Sequence, residues 1–255
     1  MADNPTAFQT RRGRREVSTV DEAAFFERIA RRLGRSAPLS APPARDAVGA
    51  PEFWQAYQLP EEERIAKFCA ELGKLGGHAE VFDSLAALHE GLRRVLRELG
   101  PRRIGLVGGG GLAAFALDEV LAEWETVVWP YAGGGELSEE AARAEVLRVF
   151  AAADVGITDC DWAVADTGSI VIAADSGRGR SVSLLPSVHI ALIRSSQIRT
   201  RMGEVLAEVA ARRASGGMPS GLFFITGPSR SSDIENDLTI GVHGPAAVVA
   251  LVLRG

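Results

Sequence analysis

A glycine-rich polar stretch near the C-terminus carries the side chains best suited to bind an anion. This stretch, residues 225–245, contains Arg230 and His243. A guanidinium makes paired, charge-assisted hydrogen bonds to a carboxylate or phosphate, and an imidazole transfers protons near neutral pH. Ser229 and the backbone amides after Gly227 add further donors. The residue types therefore predict a site for a small anionic ligand or for a partner protein.

Two carboxylates follow Arg230 and leave its role open. Asp233 and Glu235 could transfer protons, and together with His243 they are the candidate catalytic groups. They could equally form ion pairs with Arg230 that only fix the loop, because such networks also cluster at functional sites. For His243, a hydrogen bond to a backbone carbonyl is the corresponding structural alternative. The residue types alone do not assign a catalytic group.

Two turns elsewhere in the chain offer further donors. A run of four glycines, residues 108–111, stands between a predicted strand and a predicted helix, a geometry that can bind anions. It matches neither common phosphate-binding motif, so a tight turn with positive φ is the alternative. Hydroxyl groups flank a second turn at Gly168. The candidate ligand-binding residues of these turns are Gly109, Gly110, Thr167, Gly168 and Ser169.

The sequence does not predict a transition-metal centre, because its four histidines are scattered and form no HxxxH or HExxH motif. A carboxylate site for a hard cation, built from Asp166, Asp233 and Glu235, stays open as an alternative. The two cysteines, Cys69 and Cys160, are far apart, whereas iron–sulfur clusters need about four thiolates. We therefore expect no cofactor in this chain and a cytoplasmic location with reduced thiols.

Composition excludes several classes of protein. The formal net charge of −5 and the sequence pI of about 5.5 argue against nucleic-acid binding, which needs a basic surface. No window approaches the roughly 18 apolar residues that span a bilayer, and the start of the chain lacks a secretory signal pattern. A composition of 46% hydrophobic and 24% charged residues is that of a globular protein with a substantial core.

The elements that position these residues alternate between strands and helices. Short apolar runs predict strands, and apolar residues at helical spacing predict the segments between them. The predicted strands are 78–82, 103–107, 126–129, 154–158, 181–185, 189–193, 221–225 and 246–253, with two more meeting at residues 166–169. The predicted helices are 59–75, 85–99, 112–124, 138–150 and one beginning at 202. This order predicts a parallel sheet with helices on its faces and antiparallel strands added in the middle of the chain.

The chain divides at about residue 58. In residues 1–58, Asp21 can cap a helix that Gly34 ends, and a proline-rich linker follows. Residues 59–255 form the predicted α/β domain. Within it, the two apolar strands on either side of residues 226–245 are predicted to be buried and to hold the anion site at their ends.

Several segments together resemble the LUD-domain family, in its lactate-utilisation protein C (LutC/YkgG-like) group. The segments that carry the resemblance are Ala165–Val171, Ser183–Ile193, Ile225–Arg230, Asp233–Glu235 and Leu238–Pro245, with Phe26–Ile29 and Leu33–Arg35 near the N-terminus. The chain departs from the family pattern at Asp166, where the family often has Glu, and at Ser231-Ser232, where it often has Thr-Ala. The resemblance covers nearly the whole chain.

The resemblance implies a NagB/RpiA/CoA-transferase-like α/β fold, an open mixed sheet with helices on both faces and an N-terminal helical extension. It also implies a role in oxidising L-lactate to pyruvate with iron–sulfur partner proteins, which would carry the clusters. An active chain would then be part of an L-lactate oxidoreductase complex. Two alternatives stay open. One is a stand-alone enzyme acting on a phosphorylated or acyl substrate, and the other is an interaction subunit that docks through its N-terminal helix.

Overall fold

The computed structural model describes residues 21–41, 57–108, 110–129, 139–175, 177–214, 216–232 and 238–255, in two compact units, Met1–Ala50 and Pro51–Gly255. The first unit contains helix α1 (Glu22–Arg32). The Asp21 side chain accepts hydrogen bonds from the backbone N–H groups of Ala23 and Ala24, and Gly34 has φ +70° just beyond the helix. Both predicted ends of this helix are confirmed. The linker from residue 42 onward lies outside the described residues.

The second unit alternates helices and strands as the sequence predicts. Its helices are α2 (Glu61–Lys74), α3 (Leu85–Leu99), α4 (Asp118–Leu121), α5 (Glu139–Ala151), α6 (Ser181–Leu184) and α7 (Met202–Ala214). Its strands are β1 (His78–Phe82), β2 (Arg103–Val107), β3 (Glu125–Trp129), β4 (Val155–Asp159), β5 (Trp162–Val164), β6 (Ser169–Ala174), β7 (Val188–Arg194), β8 (Ile198–Arg199), β9 (Gly221–Ile225), β10 (Arg230–Ser232), β11 (Leu238–Ile240) and β12 (Ala247–Leu253).

Six of the described strands form a parallel sheet in the order β1-β12-β7-β4-β2-β3. Alternate residues of β12 point to opposite faces of this sheet. Val249 and Leu251 belong to a core that includes Leu88 and Leu92 of α3, whereas Ala250 lies in a second core that includes Phe68 of α2. The expected α/β fold, a largely parallel sheet with helices on both faces, is confirmed.

The antiparallel strands form a second sheet of their own, in the order β8-β5-β6-β9. Ile170 and Ile172 of β6 pack into the core that β12 and α2 share. Val171 points the other way, into a cluster with Val205 and Val209 of α7. The small sheet therefore lies between the large sheet and α7. A separate hairpin, β10–β11, follows β9.

Three local predictions are wrong. The predicted helix 112–124 is a 3₁₀ helix (Gly110–Phe115) followed by the short α4, because Ala116 adopts φ +46° between them. The predicted strand 181–185 is α6, and a short apolar run does not distinguish these two structures. The strands on either side of residues 226–245 are both predicted to be buried. This is confirmed for β12, whereas all residues of β9 are half-buried and β9 belongs to the other sheet.

Candidate functional site

The loops before and after the β10–β11 hairpin form one compact structure around Ser229. Its backbone N–H donates to the Pro245 carbonyl (2.8 Å), and its own carbonyl accepts from the Gly241 N–H (3.0 Å). Its hydroxyl accepts from the backbone N–H of His243 (3.3 Å). The Gly-Pro-Ser-Arg and Gly-Val-His-Gly-Pro segments are therefore brought together. The His243 side chain is exposed.

The Arg230 side chain contacts the C-terminal end of α2. Its guanidinium donates to the backbone carbonyl of Leu75, and a Cβ built on Gly76 would lie 2.9 Å from its Nη2. Gly227, with φ +84°, approaches Leu75 so closely that a Cβ there would lie 2.9 Å from the Leu75 Cβ. A cation at a helix C-terminus is stabilised by the free carbonyls and the helix dipole. The possible partners Asp233 and Glu235 lie outside the described residues.

A cavity of about 620 Å³ opens beside the Gly-Val-His-Gly-Pro loop. Gly241 and Gly244 line it on one side, and its charged lining consists of Arg102 and Arg103 at the start of β2 with the carboxylates of Glu125 and Asp154. The charge of Arg103 is balanced by Glu125 (2.6 Å), whereas the exposed side chain of Arg102 forms no ion pair with any described residue. Since these residues precede the strands of a parallel sheet, the cavity lies at the amino ends of the strands.

The turn at Gly168 packs against α2. Gly168 has φ +60°, and a Cβ there would lie 2.3 Å from the backbone nitrogen of Leu72. The Ser169 hydroxyl is fully buried between those of Thr167 and Thr226, each 2.8 Å away. This chain of hydroxyl groups joins β6 to the residue after β9. The described contacts of Thr167 and Ser169 are thus internal ones.

The carboxylate of Asp166, in the turn before Gly168, forms ion pairs within the protein. It forms ion pairs with Lys67 of α2 (3.5 Å) and with Arg201 (2.9 Å). Because both cations already neutralise it, Asp166 is poorly placed to hold a hard cation. No group of three or more His, Cys, Asp or Glu side chains suited to a metal ion occurs in the described parts of the chain.

A cluster of charges that the sequence analysis missed lies at the opposite edge of the large sheet. Asp159 ends β4 and is 3% exposed. Arg178, from the loop after β6, donates from Nη2 to Asp159 Oδ1 (2.9 Å) and from Nη1 to Asp161 Oδ2 (2.7 Å). Asp161 also accepts from Arg212 of α7 (3.2 Å) and from the backbone N–H of Ala173 (2.8 Å). Two carboxylates and two guanidiniums thus form one network, in which Asp159, Asp161 and Arg178 are largely buried and Arg212 is exposed.

Within residues 108–111, the glycine run, Gly111 contacts Asp159 of this network. Gly109 lies outside the described residues, and Gly110 begins the 3₁₀ helix. A Cβ on Gly111 would lie 2.4 Å from Asp159 Oδ2, so the backbone of Gly111 lies directly against the Asp159 carboxylate. The turn therefore contacts an anion, but the anion is a carboxylate of the protein itself.

Burial raises the pKa of two groups at the carboxyl end of β4, Asp159 and Cys160. Desolvation raises the pKa of Asp159, and the nearby Arg178 charge opposes that rise only in part. Desolvation also raises the pKa of the fully buried Cys160 thiol well above its ordinary value. Cys69, on α2, has its pKa raised by burial as well. Neither thiol is in the electropositive, accessible setting that makes a cysteine reactive.

One sequence signal could have indicated this cluster. Asp159 and Asp161 come directly after an apolar strand, and ligands of open α/β sheets bind beyond the carboxyl ends of strands. Arg178 carries no comparable signal, because its loop belongs to the other sheet. Within the described residues no helix has the length and apolar character needed to cross a bilayer.

Comparison with known proteins gives the family. The LUD domain family profile matches residues 65–253. The chain is 31% identical to lactate utilization protein C of Halalkalibacterium halodurans, over 90% of this chain and 96% of that protein. It is 34% identical to the protein of the same name from an Exiguobacterium species, over 88% of this chain and 92% of that one.

Two further matches agree with this result. The uncharacterized protein YkgG of Escherichia coli is 31% identical over 90% of this chain and 96% of its own length. A crystal structure of a DUF162 family protein from Deinococcus radiodurans superposes with a TM-score of 0.53, at 22% identity, over 76% of this chain and 99% of that one. The structural match supports the fold, and the sequence matches extend over nearly the whole chain. The chain belongs to the LUD domain family.

Proposed function

We propose that this chain is a component of an L-lactate utilisation system. The observation that carries the proposal is the match to proteins called lactate utilization protein C over about nine tenths of this chain. Those relatives are also covered over 96% and 95% of their own lengths, which supports a shared role of the whole chain. The expected process is the oxidation of L-lactate to pyruvate.

The electron-transfer centres of this system belong to partner proteins. The chain has two cysteines, and an iron–sulfur cluster needs about four thiolates. Cys160 is fully buried and Cys69 is packed on α2, so neither is presented to a shared cluster. We therefore expect partners that carry iron–sulfur clusters and a cytoplasmic location, where thiols stay reduced.

The loops around Ser229 are the proposed place for a small anionic ligand or a partner. The cavity of about 620 Å³ beside Gly241 and Gly244 supports this, because Arg102 supplies it with a cation that forms no described ion pair. His243 belongs to the same loop and is exposed, so its imidazole is open to an approaching molecule or protein surface. Arg230 contributes by fixing the loop to α2.

A growth experiment tests the proposed function. A strain lacking the gene should lose growth on L-lactate as sole carbon source and keep growth on pyruvate. The full chain supplied in trans should restore growth, and Arg102→Ala and His243→Ala should each restore it poorly. Arg97→Ala, at an exposed arginine of α3, is the matched control and should restore it fully. Undiminished growth of the deletion strain on L-lactate would refute the assignment.

Co-purification tests the partners. A tagged full chain should bring down proteins that contain iron and acid-labile sulfide from cells grown on L-lactate. Cells grown on pyruvate provide the comparison. If the chain elutes alone and without iron under both conditions, the proposal of iron–sulfur partners is wrong.

A further inference from the structure

We propose that the carboxyl ends of β2 and β4 form a binding site for a small carboxylate, and that Asp159 occupies it in the free protein. The donor of this site is the Arg178 guanidinium, and the backbone of Gly111 lies against the Asp159 carboxylate beside it. A guanidinium recognises any small carboxylate, and the choice of L-lactate and pyruvate as the ligands of this site rests on the proposed function. The site is also distinct from the cavity beside Gly241, which lies at the opposite edge of the sheet.

The order of the strands in the large sheet predicts a ligand site at the carboxyl ends of β2 and β4. From β2 the chain adds β3 on one side of the sheet, and it then returns to add β4, β7 and β12 on the other. The chain leaves β2 into a 3₁₀ helix that packs in the core with α3, and it leaves β4 toward the small sheet on the opposite face. Strands whose connections diverge in this way leave a crevice at their carboxyl ends, where open α/β sheets bind ligands.

The guanidinium of Arg178 is incompletely used. Its Nε and Nη2 lie on one edge, which a carboxylate can contact with both oxygens. Asp159 contacts only Nη2 (2.9 Å), and the buried Nε has no hydrogen-bond partner among the described residues. A buried donor without a partner is costly. A ligand carboxylate on this edge would satisfy both donors, which Asp159 does not.

Asp159 is the replaceable member of the network. Asp161 holds Arg178 through Nη1 (2.7 Å), and Asp161 is itself held by Arg212 and by the N–H of Ala173. Arg178 therefore stays in place when the Asp159 carboxylate leaves it. A buried ion pair adds little to stability, because desolvation of the charges offsets their attraction. The ion pair of Asp159 and Arg178 lies where open α/β sheets bind ligands, so a role in binding a ligand explains it better than a role in stability.

Binding should take up a proton. The ionised groups facing Asp159 are Arg178 and Asp161, with Arg212 beyond Asp161, and the Cys160 thiol is neutral. A second carboxylate placed against Asp159 would repel it, so Asp159 must become the neutral acid. As an acid it can donate its O–H to the ligand. The burial that already raises the pKa of Asp159 makes this uptake easier.

Calorimetry on the purified full chain tests the site, with L-lactate, pyruvate and inorganic phosphate as separate probes. The wild-type protein should bind a carboxylate probe with an affinity that falls as the pH rises from 6 to 8, by at most about tenfold per pH unit, which is the limit for uptake of one proton. Asp159→Asn keeps the shape and removes the competing charge. This variant should bind more tightly at pH 8, and its affinity should change less than about threefold over the same range.

Arg178→Lys keeps the positive charge and loses the two-donor edge, so it should weaken the binding at least about tenfold. Circular dichroism establishes that each variant is folded. Arg97→Ala, at an exposed arginine of α3 that belongs to neither proposed site, should leave this binding unchanged. No saturable binding of L-lactate or pyruvate to either the wild type or Asp159→Asn would overturn the proposal. Binding independent of pH, or of Arg178, would overturn it too.

Discussion

The guanidinium of Arg230, on β10, donates a hydrogen bond to the backbone carbonyl of Leu75, just after the end of α2. The two residues are 155 positions apart in the chain. The contact joins the loop around Ser229 to the helix that covers one face of the large sheet. It gives a structural reason for an arginine at this position that is independent of any ligand.

Replacing Arg230 should therefore lower stability. Arg230→Ala leaves the Leu75 carbonyl without its charged donor, and a net loss of about 1 kcal/mol in the free energy of unfolding is expected because the arginine is exposed. Urea denaturation followed by circular dichroism measures this loss. Arg102→Ala, which removes an exposed arginine with no described ion pair, should stay within about 0.5 kcal/mol of the wild type. Equal stability of the two variants would show that the contact with Leu75 contributes nothing.

Local signals predict the elements well. Asp21 and Ser84 cap α1 and α3 through side-chain hydrogen bonds, and Gly100 ends α3 in the left-handed conformation, as their residue types indicate. The 3₁₀ helix before Ala116 was not predictable, because the break depends on a positive φ at a residue that disfavours it. The sequence predicts a strand where α6 lies, because a helix of four residues has too little periodicity to distinguish it from a strand.

The candidate sites were harder to predict, because they depend on how distant segments assemble. The sequence places Ser229 and His243 in one connection between two strands, and in the structure the backbone N–H of His243 donates to the Ser229 hydroxyl. The sequence does not reveal that this connection lies at the amino ends of the parallel strands. The network at the carboxyl ends needs Asp159 from the large sheet and Arg178 from a loop of the small sheet. Only the packing of the two sheets brings them together.

Gly168 should tolerate no side chain. Its φ of +60° alone costs about 1 kcal/mol for alanine, and a Cβ would also lie 2.3 Å from the backbone nitrogen of Leu72. Gly168→Ala should therefore lose at least about 3 kcal/mol of unfolding free energy or fail to fold. Gly100→Ala is a matched control, since Gly100 has φ +59° and nothing within 4 Å of the added atom. Similar losses in the two variants would show that the close approach to α2 is unimportant.

Both thiols should be inert in the folded protein. Burial raises the pKa of Cys69 and Cys160, which removes the reactive thiolate, and Cys160 is 1% exposed. Ellman's reagent at pH 7.5 should react slowly with the native chain and rapidly with two thiols in guanidinium chloride. Cys69→Ser should leave a native protein whose remaining thiol reacts only as fast as the chain unfolds. Rapid native reaction of Cys160 would contradict its burial.

His189 should make the protein less stable in acid. It is fully buried, its Nε2 lies 2.9 Å from the Thr158 hydroxyl, and desolvation lowers its pKa to about 4. The unfolded chain, with a histidine pKa near 6.5, therefore binds the proton that the folded state excludes. The contribution of His189 to the free energy of unfolding is complete above about pH 6.5. It falls as the pH drops toward 4, by about 3 kcal/mol in all.

Urea denaturation of the wild type between pH 8 and pH 4.5 should show this fall. His189→Gln, if folded, should show a smaller one, whereas His78→Gln, at an exposed histidine, should keep the wild-type slope. An unchanged slope in His189→Gln would show that protonation of the buried imidazole does not govern acid stability.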